Sequence, residues 1–397
     1  MDSFITLWSG ISPERVLSAA SKSSLYSQDV VTGSDIWDEQ PVLLCERLAL
    51  WLAAQKDALD DEGAVWWCSS GTTGSPLTGA FPTHFHSTYL LAAYERLFSL
   101  CGDKSGFHAH LCAPRTAPAS IDLAAQSWEK RIRFNDLYLM SKGPLQDWTG
   151  ASFARIFRDL NEIRPQTLRA DPFYLAAFLR WLIRNDKVLP ACPVIICSYS
   201  PLTTNLRKAF VDYFGVPVWD LFAMSECGPL YFYDGLQCIP WDDGILYEGR
   251  LLATDVCGES VYSGFVSSIR NPYYPLLRYQ SGDLFQQIDG PDGRNAYVNC
   301  GREVQVISLP DGSLITQRSL DQIFRSFPQI WAFCARVRGG QISVDLMFSP
   351  GSESPVIVNE IEREILSLTR NYFAVSVSTS ESFFTQPSGK VTPVLVN

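Results

Sequence analysis

Residues 66–79 read WWCSSGTTGSPLTG, a stretch in which glycines and hydroxyl side chains follow directly behind an apolar run. The apolar residues Ala64 to Cys68 come after Gly63, a pattern that predicts a buried strand ending in a flexible loop. Glycines let backbone N–H groups approach an anion closely, and hydroxyls add neutral donors. An ordinary solvated loop would have the same composition, and no Gly-Lys-Ser/Thr follows as in a Walker loop. The candidate phosphate-binding residues are Ser69, Ser70, Gly71, Thr72, Thr73 and Gly74.

The composition is that of an acidic globular protein. The chain has 397 residues, of which 46% are hydrophobic and 19% charged, enough for two or three domain-sized cores. A net charge of -10 argues against a nucleic-acid surface, because phosphate backbones bind concentrated Lys and Arg. No apolar run approaches the roughly 20 residues that span a bilayer, and the first residues lack the pattern of a secretory leader. We therefore expect a cytoplasmic protein with no membrane or nucleic-acid partner.

The cysteines and histidines give little evidence for a metal site. The 11 cysteines form no Cys-x-x-Cys pair, which predicts reduced, mostly buried thiols rather than disulfides or a zinc site. Two His-x-His pairs, His84 with His86 and His108 with His110, would each point to one face of a strand. A metal site at these pairs is an open alternative. Packing or solvent exposure is the prediction, because acidic and thiol ligands are missing at metal spacing.

The middle of the chain alternates between strand and helix patterns. Asp171 and Pro172 provide an N-cap and a first-turn proline for a helix that runs to Arg184. Further predicted elements are a strand at Val194 to Cys197, a helix at Thr203 to Phe214 and a strand at Val216 to Phe222. Strand, helix and strand at this spacing predict a right-handed parallel crossover in a sheet that is covered by helices. Ligands of such sheets bind beyond the carboxyl ends of the strands.

The last hundred residues predict a small α+β domain. Gln341 to Phe348 alternates as a strand, and Ala374 to Ser378 is a second strand. Between them an apolar stripe predicts a helix with Val358, Ile361, Ile365, Leu368 and Tyr372 on one face. The pattern therefore predicts a small α+β domain at the C-terminal end of the chain.

Five segments together carry a resemblance to a known family. SSGTTGSPLTG with Thr83-His84 resembles the phosphate signature of the adenylate-forming superfamily, which comprises acyl-CoA ligases, carrier-loading adenylation domains and luciferases. LFAMSECGPL at 221–230 resembles its Tyr-Gly-x-Thr-Glu, and LLRYQSGDLF at 276–285 resembles its Tyr-Arg-Thr-Gly-Asp-Leu. Gly301-Arg302 is similar to the Gly-Arg before the family's hinge, and Ser388-Gly389-Lys390 to its terminal Ser/Asn-Gly-Lys. The order is that of the family, and the short lead-in to Ser69 favours the phenylacetate-CoA ligase branch.

The resemblance implies a fold, a cofactor set and residue roles. The fold would be α/β, with a large N-terminal domain of helix-covered, parallel-containing sheets at residues 1–300 and, after the hinge, a small mobile α+β lid at residues 301–397. ATP and Mg²⁺ would bind. The implied contacts are Ser70, Thr72 and Thr73 to the β- and γ-phosphates, Ser225 to the α-phosphate, Glu226 to Mg²⁺, Phe222 to adenine, Asp283 to the ribose, Arg302 to the ribose and α-phosphate, and Lys390 to the acid's carboxylate and the bridging oxygen.

The implied activity is activation of a small carboxylic acid as acyl-AMP, with release of pyrophosphate and transfer to a thiol of coenzyme A or of a carrier protein's phosphopantetheine. The branch and the 13% aromatic content favour an aryl or arylacetic acid. An amine acceptor, a partner enzyme that takes the adenylate, a degenerate relative that binds without turnover and an interaction protein on the same scaffold are alternatives. The departures are Leu77-Thr78 where many relatives have lysine, Phe222-Ala223 for Tyr-Gly, and Val304 where the family has Asp or Lys. The oligomeric state is open, a homodimer included.

Overall fold

The structure is a computed structural model of the chain. It describes residues 4–26, 37, 40, 42–68, 77–85, 92, 95–96, 99, 106–117, 120–133, 135–190, 192–241, 243–289, 295–383 and 385–396. The candidate phosphate-binding residues at 69–74 lie outside these ranges, as does His86.

The described residues form both strands and helices, which alternate one by one through residues 136–224. The strands are β1 (Phe4–Ser9), β2 (Val65–Cys68), β3 (Thr78–Phe81), β4 (His108–Leu111), β5 (Ile132–Arg133), β6 (Asp136–Tyr138), β7 (Thr167–Ala170), β8 (Val194–Cys197), β9 (Val218–Met224), β10 (Gly228–Tyr233), β11 (Cys238–Pro240), β12 (Ile245–Thr254), β13 (Ser260–Ser268), β14 (Leu276–Asp289), β15 (Asn295–Arg302), β16 (Ile307–Ser308), β17 (Leu314–Ile315), β18 (Ile330–Arg338), β19 (Gln341–Phe348), β20 (Ala374–Thr379) and β21 (Val394–Val396). The α-helices are α1 (Pro13–Ala20), α2 (Cys45–Ala54), α3 (Lys56–Asp61), α4 (Gly150–Ile163), α5 (Pro172–Arg184), α6 (Thr204–Phe214), α7 (Gln317–Phe324) and α8 (Pro355–Leu368).

The chain folds into two compact units, each built from two separate stretches of sequence. The first unit contains Met1–Leu97 and Phe222–Val304, and the second contains Phe98–Leu221 and Gln305–Asn397. The chain therefore passes from the first unit to the second at Val304, two residues after Arg302. The predicted domain boundary at residues 300 and 301 lies close to this passage and stays a prediction.

The first unit is centred on a five-stranded antiparallel sheet with the order β1-β12-β13-β14-β15. Its core is rich in aromatic rings: Trp8 packs edge-on against Tyr247 and Phe285, with ring centres 5.2 and 5.5 Å apart. Gly264 leaves room for these rings, because a Cβ there would lie 2.7 Å from the Phe285 ring. This packing fixes β14, the strand that carries the predicted residue Asp283.

A buried ion pair also holds β14 in the first unit. Arg278 and Glu248 face each other with 0% and 4% of their side chains exposed, and the Arg278 guanidinium donates to both carboxylate oxygens at 2.9 and 3.1 Å. Trp37 Nε1 donates to the same carboxylate at 2.9 Å. Two buried charges are tolerable only when they are paired and hydrogen-bonded in this way.

The second unit contains a sheet with the strand order β9-β8-β7-β4-β6-β5. The first five strands run parallel to their neighbours and β5 is antiparallel, which confirms the predicted parallel crossover. The continuous apolar run of β8 is buried at all four positions, as expected for a strand covered on both faces. Phe153 of α4 stacks on Phe178 of α5, with ring centres 6.2 Å apart. The carboxyl ends of β4, β7 and β8 lie side by side at one edge of this sheet.

The second unit also contains a four-stranded sheet with the order β20-β19-β18-β21, accompanied by α7 and α8. Hydrogen bonds tie this sheet to the start of α6. Thr203 Oγ1 donates to the Trp331 carbonyl at 2.7 Å, and Thr204 Oγ1 donates to Asp321 at 2.6 Å. The strands and the helix predicted for an α+β fold at the C-terminal end are therefore present.

Two sequence predictions about local structure are wrong. The run Ala64 to Cys68 does contain a strand, but β2 pairs with β3 in a two-stranded hairpin, and the Val65 side chain is 39% exposed. The neighbouring β3 is buried at Ala80 and Phe81, whereas β2 is only partly covered, so the apolar run does not imply burial of the strand. The predicted helical stripe is too long, because α8 ends at Leu368 and Tyr372 lies beyond it, 49% exposed.

Candidate active site

The flanks of the candidate phosphate loop belong to the first unit. Cys68 and Thr78 are opposite each other at the end of the β2–β3 hairpin, so the loop leaves and re-enters the fold at one place. Leu77 stands where many relatives have lysine, and its side chain is only 4% exposed within the core of this unit. The phosphate contacts of Ser69, Ser70, Gly71, Thr72, Thr73 and Gly74 stay predictions, since these residues lie outside the described ranges.

Ser225 and Glu226 form the turn between β9 and β10 in the first unit. Ser225 is exposed and Glu226 is half-buried. Tyr279 of β14 donates its hydroxyl to Glu226 Oε1 at 2.9 Å. Burial raises the pKa of Glu226 above its ordinary value, and the negative charge of Asp283 acts in the same direction. A carboxylate that is costly to ionise gains from a cation beside it.

The Glu226 carboxylate suits a Mg²⁺ ion that takes most of its other oxygen ligands from a bound substrate and from water. Within the described ranges, no group of three or more His, Cys, Asp or Glu side chains could hold a metal by itself. Mg²⁺ commonly takes one or two carboxylates from the protein and completes its shell with phosphate oxygens and water. Glu226 therefore suits a magnesium ion delivered with a polyphosphate, and this role stays a prediction.

We expect cation-dependent nucleotide binding to weaken as the pH falls, with Glu226 as the cause. The folded-state pKa of Glu226 is raised, so a proton competes with the cation over a pH range that extends upward from the ordinary titration range of a glutamate, and cation binding within that range releases the proton. Isothermal titration of MgATP in buffers of different ionisation enthalpy measures the proton release. Glu226→Gln should abolish it, whereas the exposed Asp289→Ala should leave it unchanged. An equal release from wild type and Glu226→Gln would contradict the assignment.

Asp283 and Arg302 are brought together by strand pairing in the first unit. They are directly opposite each other on β14 and β15, and Arg302 Nε lies 3.5 Å from Asp283 Oδ1. Arg302 also donates to the Ser281 carbonyl at 2.8 Å, and Asp283 N–H donates to Ser281 Oγ at 3.1 Å. The carboxylate is 13% exposed and the guanidinium side chain 31%. The pair is therefore fixed in place while each partner keeps exposed surface for a ligand.

Phe222 lies in β9, at the point where the chain enters the first unit. Its half-buried ring stacks on Tyr231, with ring centres 5.2 Å apart, and meets Phe285 edge-on at 5.5 Å. The ring is thus oriented by two aromatic neighbours. Its contact with adenine stays a prediction.

Lys390 lies in the second unit, in a tight turn at residues 387–390. Gly389 N–H donates to the Gln386 carbonyl at 2.7 Å, and Gln386 N–H donates to the Lys390 carbonyl at 2.8 Å. Gly389 has φ +84°, and a Cβ there would lie 2.7 Å from Ala113 Cβ, so this position needs glycine. The Lys390 amine is 5.9 Å from the centre of the Tyr199 ring. The glycine of the Ser-Gly-Lys motif thus brings the backbone beside Lys390 close to the carboxyl end of β4.

Sequence reasoning missed a cluster of polar residues beside this turn. Asp171 follows β7 and is fully buried, and Ser200 follows β8 and donates to Asp171 Oδ2 at 2.6 Å. Tyr199, which directly precedes Ser200, adopts φ +76°, a strained conformation for a non-glycine residue. Burial raises the pKa of Asp171 to about 6, while the positive charge of Lys390 acts against this rise. The sequence signalled Asp171 only as a helix cap, which it also is.

One of the two His-x-His pairs lies on β4, within the second unit. His110 Nε2 is 3.1 Å from Asp136 Oδ1 and 3.3 Å from an Arg169 guanidinium nitrogen, and the ring stacks on Tyr138 with centres 5.0 Å apart. Burial lowers the pKa of His110 below its ordinary value. The cluster arises because neighbouring parallel strands place these side chains opposite one another. Of the two predicted alternatives, packing and solvent exposure, this geometry agrees with packing for His110.

The solved structures named below have a similar fold and are adenylate-forming enzymes, whereas no protein-family model and no curated protein matches the sequence. No helix within the described ranges is long and apolar enough to cross a membrane. A 2-hydroxyisobutyryl-CoA ligase in complex with R3-HIB-AMP has a TM-score of 0.68 at 14% identity, covering 97% of this chain and 88% of the ligase. The anthranilate CoA ligase AuaEII with anthranoyl-AMP has a TM-score of 0.57 at 14% identity, covering 82% and 65%. The amide bond synthetase McbA from Marinactinospora thermotolerans has a TM-score of 0.52 at 14% identity, covering 83% and 67%. This chain therefore has the α/β fold of the adenylate-forming enzymes, as its motifs predict.

Proposed function

We propose that this protein activates a carboxylic acid with ATP, forming acyl-AMP and releasing pyrophosphate. The observation that carries the proposal is the Asp283–Arg302 pair, which strand register holds face to face in the first unit. A fixed carboxylate suits the two hydroxyls of a ribose, and an adjacent guanidinium suits the phosphate that follows it. The similarity of fold to enzymes solved with acyl-AMP ligands supports this assignment.

The nucleotide is assigned to polar groups of the first unit and to the candidate loop. Asp283 accepts hydrogen bonds from the ribose, and Arg302 neutralises charge at the ribose and α-phosphate. Ser225 donates its exposed hydroxyl to the α-phosphate, and Glu226 would hold a Mg²⁺ ion, which would supply positive charge beside the phosphates. Because Leu77 is buried and uncharged, the charge of the terminal phosphates is left to Mg²⁺, backbone N–H groups and hydroxyls.

The reaction needs alignment and charge stabilisation more than covalent chemistry. An oxygen of the acid's carboxylate attacks the α-phosphorus of ATP, the bond from that phosphorus to the bridging oxygen breaks, and pyrophosphate leaves with the electron pair. Lys390 is assigned to the carboxylate and the bridging oxygen, where its ammonium group offsets negative charge in the transition state. The remaining residues orient the nucleotide for in-line displacement.

The proposal also names a thiol as the acceptor of the acyl group and ranks the classes of acid to assay. A thiol of coenzyme A, or of a carrier protein's phosphopantetheine, attacks the acyl carbon, AMP leaves, and the thiol gives up its proton. The two CoA ligases named above favour coenzyme A as the first acceptor to assay, and the amide bond synthetase makes an amine the second. Aryl and arylacetic acids are the first acid classes to assay, because the phosphate loop resembles the phenylacetate-CoA ligase branch.

We expect Asp283→Ala to weaken ATP binding by about tenfold or more, since hydrogen bonds to a charged acceptor are among the stronger ones. The measurement is the rise in melting temperature that MgATP produces, because a ligand of the native state must stabilise that state. Asp289→Ala, which removes an exposed carboxylate from the same strand, is the matched control and should behave as wild type. A wild-type protein whose melting temperature MgATP does not raise would contradict the proposal.

A further inference from the structure

The carbonyl groups on both sides of Lys390 accept hydrogen bonds from buried residues of the parallel sheet region. Tyr174 of α5 donates its hydroxyl to the Gly389 carbonyl at 2.7 Å, and Ser200 donates its hydroxyl to the Val391 carbonyl at 3.3 Å. Tyr174 is 0% exposed and Ser200 is 5% exposed. The residues immediately before and after Lys390 are therefore both anchored, although they lie 215 and 191 positions away in sequence from their partners.

Asp171 connects these anchors to the positive charge of Lys390. Its carboxylate accepts from Ser200 Oγ at 2.6 Å and from Phe173 N–H at 2.9 Å, so the single hydroxyl hydrogen of Ser200 is shared between Asp171 and the more distant Val391 carbonyl. Its negative charge also interacts with the Lys390 amine. A buried carboxylate with a nearby cation costs less than an isolated one.

This arrangement limits the directions that the Lys390 side chain can take. A lysine side chain has four rotatable bonds, and the orientation of its Cα sets the point and the direction from which that stem starts. Hydrogen bonds to both flanking carbonyls fix that orientation, and the Tyr199 ring lies 5.9 Å from the amine. If these hydrogen bonds served only to hold the C-terminal segment in the fold, they would not need to flank one particular residue on both sides.

We propose that Asp171, Tyr174 and Ser200 are positioning residues that hold the Gly389–Val391 backbone and thereby direct the Lys390 amine. The geometric part of this inference stands by itself, and its consequence for the rate rests on the proposed acid-activating function. Reaction rates respond strongly to small displacements of a charged group, because alignment and transition-state electrostatics supply most of the acceleration.

The first test is independent of catalysis and measures how readily Lys390 reacts with an amine reagent. Reductive methylation followed by mass spectrometry gives the rate at Lys390 relative to Lys208, whose side chain is 65% exposed on α6. Ser200→Ala and Tyr174→Phe should each raise the relative rate at Lys390 about fivefold, since each loses one hydrogen bond that attaches the backbone beside Lys390 to the rest of the unit. Unchanged labelling of Lys390 in both folded variants would overturn the proposal.

Tyr213→Phe is the matched control for Tyr174→Phe. The Tyr213 hydroxyl also donates to a backbone carbonyl, that of Lys187, at a surface of the same unit. The Tyr213→Phe variant should leave the labelling of Lys390 unchanged. If Ser200→Ala fails to fold, as its melting curve would reveal, Tyr174→Phe decides the test alone.

The second test is a double-mutant cycle on acid-dependent pyrophosphate release. Ser200→Ala should lower kcat about tenfold with little change in the KM for ATP, and should cause no further loss in a Lys390→Ala background. The same factor in both backgrounds would overturn the positioning role. If the wild type releases no pyrophosphate, the proposed function fails, while the labelling result still decides whether these residues hold the turn.

Discussion

Lys390→Ala should lower acid-dependent pyrophosphate release by about a hundredfold or more at saturating acid and ATP. An ammonium group aimed at developing negative charge is worth about 3 kcal/mol in the transition state, and the truncated side chain supplies none of it. In the structure this lysine lies in a glycine-dependent turn whose neighbouring carbonyls are hydrogen-bonded. Because the backbone does not rely on the amine, the variant should fold like wild type.

Lys208→Ala serves as the control for loss of a lysine from the same unit. The Lys208 amine forms an exposed ion pair with Asp212 at 2.9 Å, and pairs of this kind contribute little. Its removal should leave the rate unchanged. A Lys390→Ala enzyme that keeps a rate within about threefold of wild type would contradict the assigned role.

Arg278→Ala should cost about 3–5 kcal/mol in the free energy of unfolding, because it leaves the Glu248 carboxylate buried without its guanidinium partner. The two side chains are 0% and 4% exposed, and Glu248 would keep the Trp37 indole as a donor. Urea-induced unfolding followed by fluorescence measures the loss. Because Arg278 precedes Tyr279 and Asp283 on β14, nucleotide binding should weaken in the same variant.

Arg336→Ala is the comparison for this result. Arg336 pairs with Asp345 across β18 and β19, with the two side chains 45% and 23% exposed, so its removal should cost less than about 1 kcal/mol. Equal losses for the two variants would show that burial of the Arg278 pair is not the source of its effect.

Local patterns in the sequence predicted several elements at the correct places. The apolar run Val194 to Cys197 is β8 with both boundaries correct, and Asp171 caps α5 through a hydrogen bond to Phe173 N–H. Both depend on interactions within a few residues, which a sequence displays directly. The alternation of strands and helices similarly predicts the parallel sheet of the second unit.

Contacts between residues that are far apart in the sequence could not be predicted from local patterns. Asp283 and Arg302 were each predicted from a motif, but their direct opposition follows from the register of β14 and β15, which no local pattern specifies. The approach of Ser200 to Val391 spans 191 positions and depends on how the C-terminal segment packs. The exposure of Val65 was not predicted, because an apolar run does not specify how many strands its sheet will contain.

The most direct measurement of the central claim is pyrophosphate release from MgATP by the wild-type protein, assayed with a panel of aryl, arylacetic, fatty and amino acids. The account predicts release that depends on one class of acid, together with formation of the matching acyl-AMP. Release from no acid, in a protein whose melting temperature MgATP still raises, would contradict the account and leave a protein that binds nucleotide without turning it over.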